Sequence, residues 1–542
     1  MADHLSSSIT AQEAIRKLVT RFLSTHGPVH FEDIQQRYGF DSADLLAVLE
    51  GLAAEGKVRR GLLTKEATTE QWCDSHNFEE LYRRAISERR RAFAPASISS
   101  YISFVTHWHQ LAALERVDVS SLLQKYRGLH MPVDFFEREL LRSRVVPARL
   151  QETIIAAQQQ LAALCQNGEI AWRLHLKDKG HARTVQFFNR GEGALFLQRD
   201  KLATRAEQSS DHAKQLREFL RENGASFFRD LAAMSNLSKL QMSEALRELT
   251  WAGLVTNDSF AMLRELAMSN PVSGEHLVSS FLSESLPTWT RRSRPSRTRR
   301  REYQRASTPA PMLIEGRWSL IEFPAILGKE MTANEMARRQ ALLLLERYGL
   351  LVKEWHRREE NLLPWFAIFQ ELKRMEWRGE VRRGYFVEGL SGVQFALPRA
   401  AELLSASPSP RSKAFMLSMI DPAMPFGSGV GVALLDASKN KIEVARQAGN
   451  HLLIIGSKPV IYAVNYGLRL WQLANTEENE VIAALDMLKQ FLQLPEALRP
   501  RKRVEVEFWN GANITQTPAA RWLQQHGFEI ESDKVVLWPS KV

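Results

Sequence analysis

The phrase LEGLAAEGKVRRG, residues 49–61, decides the fold because it recurs. Residues 372–384 read LKRMEWRGEVRRG, residues 246–258 read LRELTWAGLVTND, and residues 161–172 give a looser copy, LAALCQNGEIAW. Each copy joins an apolar-periodic helix to a glycine, and a β-branched residue follows one or two places on. Glycine takes the left-handed conformation that closes a helix at little cost, so the phrase reads as a capped helix turning into a strand.

The residues upstream complete the unit. AIRKLVTRFLSTHG, FEDIQQRYG and SADLLAVLEGLAAEG give three amphipathic helices before the first strand, with Asp41 or Ser42 placed to cap the third. The order repeats as AKQLREFLRENG, FFRDLAAMS and SKLQMSEALRELTWAG, and again as ARRQALLLLERYG followed by the helix ending WFAIFQELKRMEWRG. Three helices closed by a strand pair make a winged helix, and three matched triplets with the same ending suggest an array.

The expected fold class is therefore α+β: a tandem array of winged-helix modules followed by a β-rich, barrel-like α+β C-terminal domain. The expected boundaries are 10–70 for the first winged helix, 71–133 for a helical connector, and 134–205 for a second module with a β-hairpin at 181–199. A third winged helix spans 210–282, an Arg-rich linker 283–312, a fourth winged helix 313–405, and the C-terminal domain 411–542. In that last region VGVALLD, KIEVARQ, HLLIIGS, PVIYAVNYG and LRLWQL read as short strands. A helix at ENEVIAALDMLKQFLQL, a strand at RVEVEFW, a capped helix at TPAARWLQQHG and a last strand at KVVLWP follow.

Composition agrees with a folded, multidomain chain. Its 542 residues exceed one ordinary core, and 44% hydrophobic with 25% charged residues lies in the globular range. Two cysteines, Cys73 and Cys165, exclude a disulfide framework and a Cys-rich zinc finger. No apolar run approaches the roughly 20 residues of a membrane span, and MADHLSSSITAQEAIRKL lacks an apolar signal core, so a cytoplasmic, nucleoid-associated location is expected.

The formal charge of +10 is concentrated. Arg291, Arg292, Arg294, Arg297, Arg299, Arg300, Arg301 and Arg305 stand within fifteen residues beside one acid, Glu302. Guanidinium forks match phosphates, so this segment is expected to lie along nucleic acid rather than serve only as a solvated linker. Lys57, Arg59 and Arg60 on the first wing, and Arg378, Arg382 and Arg383 at the matching place in the fourth module, are further candidate phosphate contacts. Thr256, Asn257 and Asp258 hold that place in the third module, which argues against one role for every copy.

Other chemistry is thin. Gly51 to Lys57 has the spacing of a phosphate-binding loop, but Val58 stands where Ser or Thr should hold magnesium, and the segment reads as a helix end. This chain alone is not expected to hydrolyse ATP. His107 and His109 flank Trp108 without accompanying Cys or carboxylates, which reads as structural, and no metal or cofactor is expected.

Several stretches together resemble the C-terminal region of bacterial large helicase-related (Lhr) proteins: THGPVHFEDIQQRYG, LAAEGKVRRG, EQWCDSHNFEELYRRAISERRRAFAPAS, GRWSLIEFPAI, RRGYFVEGLSGVQFALP and IDPAMPFGSG. The resemblance runs from about residue 14 to 538 and is most specific at 71–93 and 382–398. It implies a helicase core, in cis or in trans, that would bring ATP and magnesium. It also implies repair-linked contact with single-stranded DNA or a DNA:RNA hybrid, and homo-oligomer assembly. A uracil-excising activity is a further implication. Excision needs a group to activate water and a pocket for the flipped base. Asp421, in IDPAMPFG with Phe426 nearby for stacking, is the first candidate and Asp533 the second, although Asp421 equally suits a turn held by its own side chain. Three readings stay open: a DNA-binding, oligomerising region, a base-excising glycosylase, and a non-catalytic scaffold.

Overall fold

The computed structural model describes residues 10–64, 66–91, 94–113, 117–176, 183–268, 315–406, 408–410, 414–427 and 431–542. Two compact units divide the chain, Met1–Ala94 and Pro95–Val542.

In the first unit, helices α1 (Ala11–Thr25), α2 (Phe31–Tyr38) and α3 (Ser42–Ala54) pack against strands β1 (Val29–His30), β2 (Val58–Gly61) and β3 (Gln71–Asp74), and α4 (Ser75–Arg91) follows. Local chemistry sets the ends. Thr10 and Glu13 form a reciprocal capping box on α1, Asp41 accepts from the Ala43 and Asp44 amides at the start of α3, and Gly39 closes α2 in the left-handed region. Val19, Leu23, Ile34, Leu45, Leu49, Leu52, Val58 and Trp72 make the core. The sheet order is β1–β3–β2, so residues 71–74, expected in a connector, supply the central strand. A four-residue strand beyond a loop has too few positions to show alternation in the sequence. Gly51 lies inside α3 and Gly56 has φ +74 just beyond it, so the Gly51–Lys57 spacing is a helix end, not a phosphate loop.

The second unit begins with α5 (Ile98–Trp108) and α6 (Val119–Tyr126). Strand β4 (Met131–Pro132) leads to a π-helical turn at Phe136–Leu141, then α7 (Arg142–Arg144), α8 (Leu150–Gln166), β5 (Ile170–Leu176) and β6 (Arg183–Asn189). The hairpin expected within 181–199 is instead β5 with β6 in full register, Ile170 opposite Asn189 through Leu176 opposite Arg183. Residues beyond the Gly-x-Gly turn form a short 3-10 turn at Gly193–Leu195.

Next come α9 (Arg199–Glu207), α10 (Asp211–Asn223), β7 (Ser226–Phe227), α11 (Phe228–Met234), α12 (Lys239–Trp251), β8 (Val255–Asn257) and α13 (Phe260–Met268). Strand β9 (Arg317–Leu320) pairs with both β7 and β8. The expected linker 283–312 and its eight arginines lie outside the described residues. Strands β8 and β9, on either side of this stretch in sequence, are hydrogen-bonded neighbours in one sheet.

Helices α14 (Pro324–Leu327), α15 (Ala333–Tyr348), α16 (Lys353–His356) and α17 (Trp365–Trp377) follow, with β10 (Leu350–Leu351), β11 (Arg382–Gly384), β12 (Gln394–Ala396) and α18 (Pro398–Ser405). Four described three-stranded sheets before residue 400 share one order, first–third–second: β1–β3–β2, β4–β6–β5, β7–β9–β8 and β10–β12–β11.

The C-terminal part holds β13 (Ala414–Ser418), β14 (His451–Ile455), β15 (Lys458–Val464), β16 (Arg469–Gln472), β17 (Val504–Val506), β18 (Phe508–Trp509) and β19 (Ala512–Asn513). Beyond them lie β20 (Glu529–Glu531) and β21 (Lys534–Leu537). One sheet runs β13–β14–β15–β16–β18–β19 and another β17–β21–β20. Among the described residues no pairing joins β13 to β19, so the fold is mixed α+β with an open sheet rather than a closed barrel. The runs VGVALLD and KIEVARQ, expected as strands, make only the isolated bridges Leu435–Lys441 and Asp436–Leu473. Their side chains are mostly exposed or half-buried, so their apolar pattern meets no core to hold it as a strand.

Candidate nucleic-acid interface

Helix α17 turns one side inward and leaves the other open. Ile368, Leu372 and Met375 are buried, and steps of four, three and four residues put Phe366, Gln370, Lys373 and Trp377 on one outer stripe. Phe366 is 72% exposed and Trp377 60%; Tyr385, one residue past β11, is 64% exposed. The Lys373 ammonium lies 5.5 Å from the Phe369 ring centroid. Two large aromatics with a cation between them on one open helix face are suited to stacking on bases beside a phosphate chain.

Most of the wing cations named from sequence already have partners. Arg378 donates to Glu371 at 2.7 Å and to Glu380 at 2.7 Å, and those bonds raise its pKa. Arg382 reaches Glu402 at 3.1 Å. Arg383 lies 3.7 Å from Glu376 and over the rings of Phe369 and Phe395. In the first unit Lys57 pairs with Glu55 at 2.9 Å, and Arg60 pairs with Glu70 at 2.7 Å while covering Trp72. Arg59 is exposed on β2, opposite Cys73, and no ion pair is described for it. The exposed pairs among these, Lys57–Glu55, Arg60–Glu70 and Arg382–Glu402, contribute little and exchange readily for a phosphate, whereas Glu371 and Glu376 are buried carboxylates.

The candidate carboxylates sit apart. Asp421 is wholly buried: Arg144 grips both its oxygens, one from Nη2 at 2.9 Å, and the Ala423 amide donates to it at 2.8 Å. The side-chain turn foreseen as the alternative for IDPAMPFG is thus present, and Phe426, foreseen as a stacking ring, is buried. Asp533 is exposed in the turn between β20 and β21, where its carbonyl accepts from Asn513 at 2.9 Å. No described contact joins the two acids.

Sequence reading missed the polar cluster around Asp421. Arg144 also donates to the Tyr126 hydroxyl at 2.7 Å, and that hydroxyl lies 2.8 Å from His109 Nδ1. Burial, reinforced by the charges of Lys125, Arg144 and Arg347, holds His109 well below its usual pKa, so the ring beside the tyrosine hydroxyl is neutral. Nearby, Glu139 accepts from Arg142 at 2.7 Å and lies 3.0 Å from His451. Burial pushes its carboxyl up, but the charges and hydrogen bonds of His451 and Arg142 win and hold it at about 2. His107 meets the Ser409 carbonyl at 2.7 Å, and no described group of three His, Cys, Asp or Glu residues is placed to hold a metal. No described helix is long and apolar enough to cross a membrane.

Fold and open helix face define a mixed α+β protein with a winged-helix domain. Residues 330–414 match the family described as large helicase-related protein, winged-helix domain. Two curated relatives extend the match: "Lhr helicase/ probable uracil glycosylase" of Mycolicibacterium smegmatis and "Lhr helicase/uracil glycosylase" of Escherichia coli. The first is 27% identical over 444 residues, covering 78% of this chain and 27% of the relative. The second is 25% identical over 560 residues, covering 95% of this chain and 33% of the relative. The chain is thus related to the large helicase-related proteins, as the resemblance in its sequence implied, and it spans a third or less of the length of these relatives.

Proposed function

We propose that this chain is the DNA-binding and oligomer-forming region of an Lhr-like repair helicase, taking its motor from a helicase core in cis or in trans. The four first–third–second sheets, each with its helices, support reading the array as tandem winged helices. The observation that carries DNA contact is the outer stripe of α17, where Phe366 and Trp377 stand open around Lys373. In this reading bases stack on that stripe. Arg59, the exchangeable wing cations and the arginines from Arg291 to Arg301 take the phosphates.

The test is fluorescence anisotropy with labelled single-stranded DNA, duplex and DNA:RNA hybrid across a salt series. Affinity should fall steeply with salt, and replacing the seven arginines from Arg291 to Arg301 with glutamine should flatten that dependence. Absence of binding at low salt, with the chain folded and oligomeric by sizing, would support a scaffold role instead.

Base excision is a second proposal, favoured by the uracil glycosylase in both relatives' names. Incubation with uracil-containing single-stranded DNA followed by alkali tests it directly. Strand breakage no greater than a protein-free blank removes the activity, and breakage unchanged in both Asp421→Asn and Asp533→Asn removes those two acids from it.

A further inference from the structure

Trp108 ends α5, Lys125 lies in the last turn of α6, and Arg399 lies in the first turn of α18, nearly 300 residues away in sequence. The fold brings them together around an open cleft of about 380 Å³, which Arg127 and Glu346 also line. Both cations address one indole: Lys125 Nζ is 5.2 Å and Arg399 Cζ 5.0 Å from the Trp108 ring centroid. The Lys125 ammonium also donates to the Trp108 carbonyl, and the indole nitrogen donates to the Glu346 carbonyl at 3.0 Å.

Charge in the cleft does not balance. Neither Lys125 nor Arg399 has a described carboxylate partner. Arg127, its side chain 18% exposed, approaches Glu192 at 3.5 Å and Glu346 at 3.8 Å. Arg127 is thus matched by two carboxylates, whereas Lys125 and Arg399 line the cleft with none described for them. Lys125 shows the strain: burial, with repulsion from Arg144 and Arg399 and a partial offset from Asp421, brings its pKa down to about 7. Like charges drawn together and partly desolvated are unfavourable until a ligand supplies the counter-charge.

The donors suit a phosphate group. A guanidinium fork and a rotatable ammonium can engage different oxygens of one tetrahedral anion. We propose that the cleft between α5, α6 and α18 binds a phosphate group of a nucleic-acid strand through Lys125, Arg399 and Arg127. The assignment of the strand as the source rests on the DNA-binding reading above; the phosphate chemistry does not.

Arg399→Gln is the sharpest probe, because Arg399 is exposed and its described contact is the Trp108 ring; Lys125→Met is the second. Each variant and the parent chain would be titrated with pyrophosphate by calorimetry and with single-stranded DNA by anisotropy, after confirming unchanged melting temperatures. Arg399→Gln should weaken both ligands about tenfold and reduce the salt slope for DNA by about one. Weakening of pyrophosphate alone keeps the phosphate site but overturns the strand as its source. Arginine-dependent pyrophosphate binding by a chain that fails to bind DNA overturns the DNA reading and keeps the site. Unchanged binding of both ligands in both variants overturns the site while leaving DNA contact elsewhere intact.

Discussion

Arg144 and Asp421, 277 residues apart in sequence, form an ion pair whose side chains are both 0% exposed. The pair ties α7 to the turn after β13, within the second unit. Removing one partner leaves the other charge stranded in a low dielectric, which costs far more than the pair itself contributes. Asp421→Asn keeps an acceptor for the Ala423 amide but strands the guanidinium. It should destabilise the second unit by about 3–5 kcal/mol in urea unfolding. A loss below about 1 kcal/mol would show that the pair is dispensable.

The stripe on α17 predicts a loss of binding without a loss of fold. Phe366→Ala with Trp377→Ala removes two largely exposed rings, so the melting temperature should move little. Stacking is worth about 1–3 kcal/mol per base, so affinity for single-stranded DNA should fall at least tenfold. Equal affinity in anisotropy would remove α17 from the interface.

Acid should weaken the second unit in two stages. His109 is neutral in the fold, its pKa held well below 6.5 by burial and neighbouring charges, whereas the unfolded chain binds a proton there. Stability therefore falls as pH drops below about 6.5, by about 1.4 kcal/mol per pH unit for one proton. Glu139, lowered from 4.5 to about 2, contributes stability that is complete above 4.5 and disappears as pH falls toward 2. Urea midpoints across pH 4–7 check the first stage, and His109→Asn should reduce its slope, leaving the share of His356, whose pKa burial also lowers. An unchanged slope in that variant would place the titrating group elsewhere.

Two glycines with positive φ differ in what surrounds them. Gly56 has φ +74 and open space where a Cβ would stand, so Gly56→Ala should cost about 1–2 kcal/mol from conformation alone. Gly349 has φ +72, and a Cβ there would stand 2.6 Å from the Phe104 ring and 2.8 Å from Trp108. With ψ −51 Gly349 also lies outside the left-handed helical well, so Gly349→Ala should cost about 1–3 kcal/mol more, from conformation and crowding together. Thermal melts of the two variants give the comparison; equal losses would show that the aromatic wall yields.

The helix–glycine–strand phrase was legible because its signals are local. A capping side chain, a periodic helix face and a closing glycine act within a few residues, so LEGLAAEGKVRRG and its copies announced their helices and following strands. The C-terminal strands HLLIIGS and PVIYAVNYG were legible for the same reason, as continuous apolar runs between turn residues. VGVALLD was not, since an apolar run becomes a strand only where a neighbouring strand and a core receive it.

Sequence by itself determined the three-helix units, the relationship to large helicase-related proteins and the concentration of charge between Arg291 and Arg305. Tertiary structure alone decided that Gln71–Asp74 is a central strand, that β8 and β9 pair in one sheet, and that Arg378 and Arg60 are already paired. It also decided that Asp421 faces Arg144, and that Lys125 and Arg399 meet over Trp108. The physical reason is range: hydrogen-bonded turns and helix caps are encoded by adjacent residues, whereas ion pairs and clefts form between groups hundreds of residues apart whose meeting depends on the packing of everything between them.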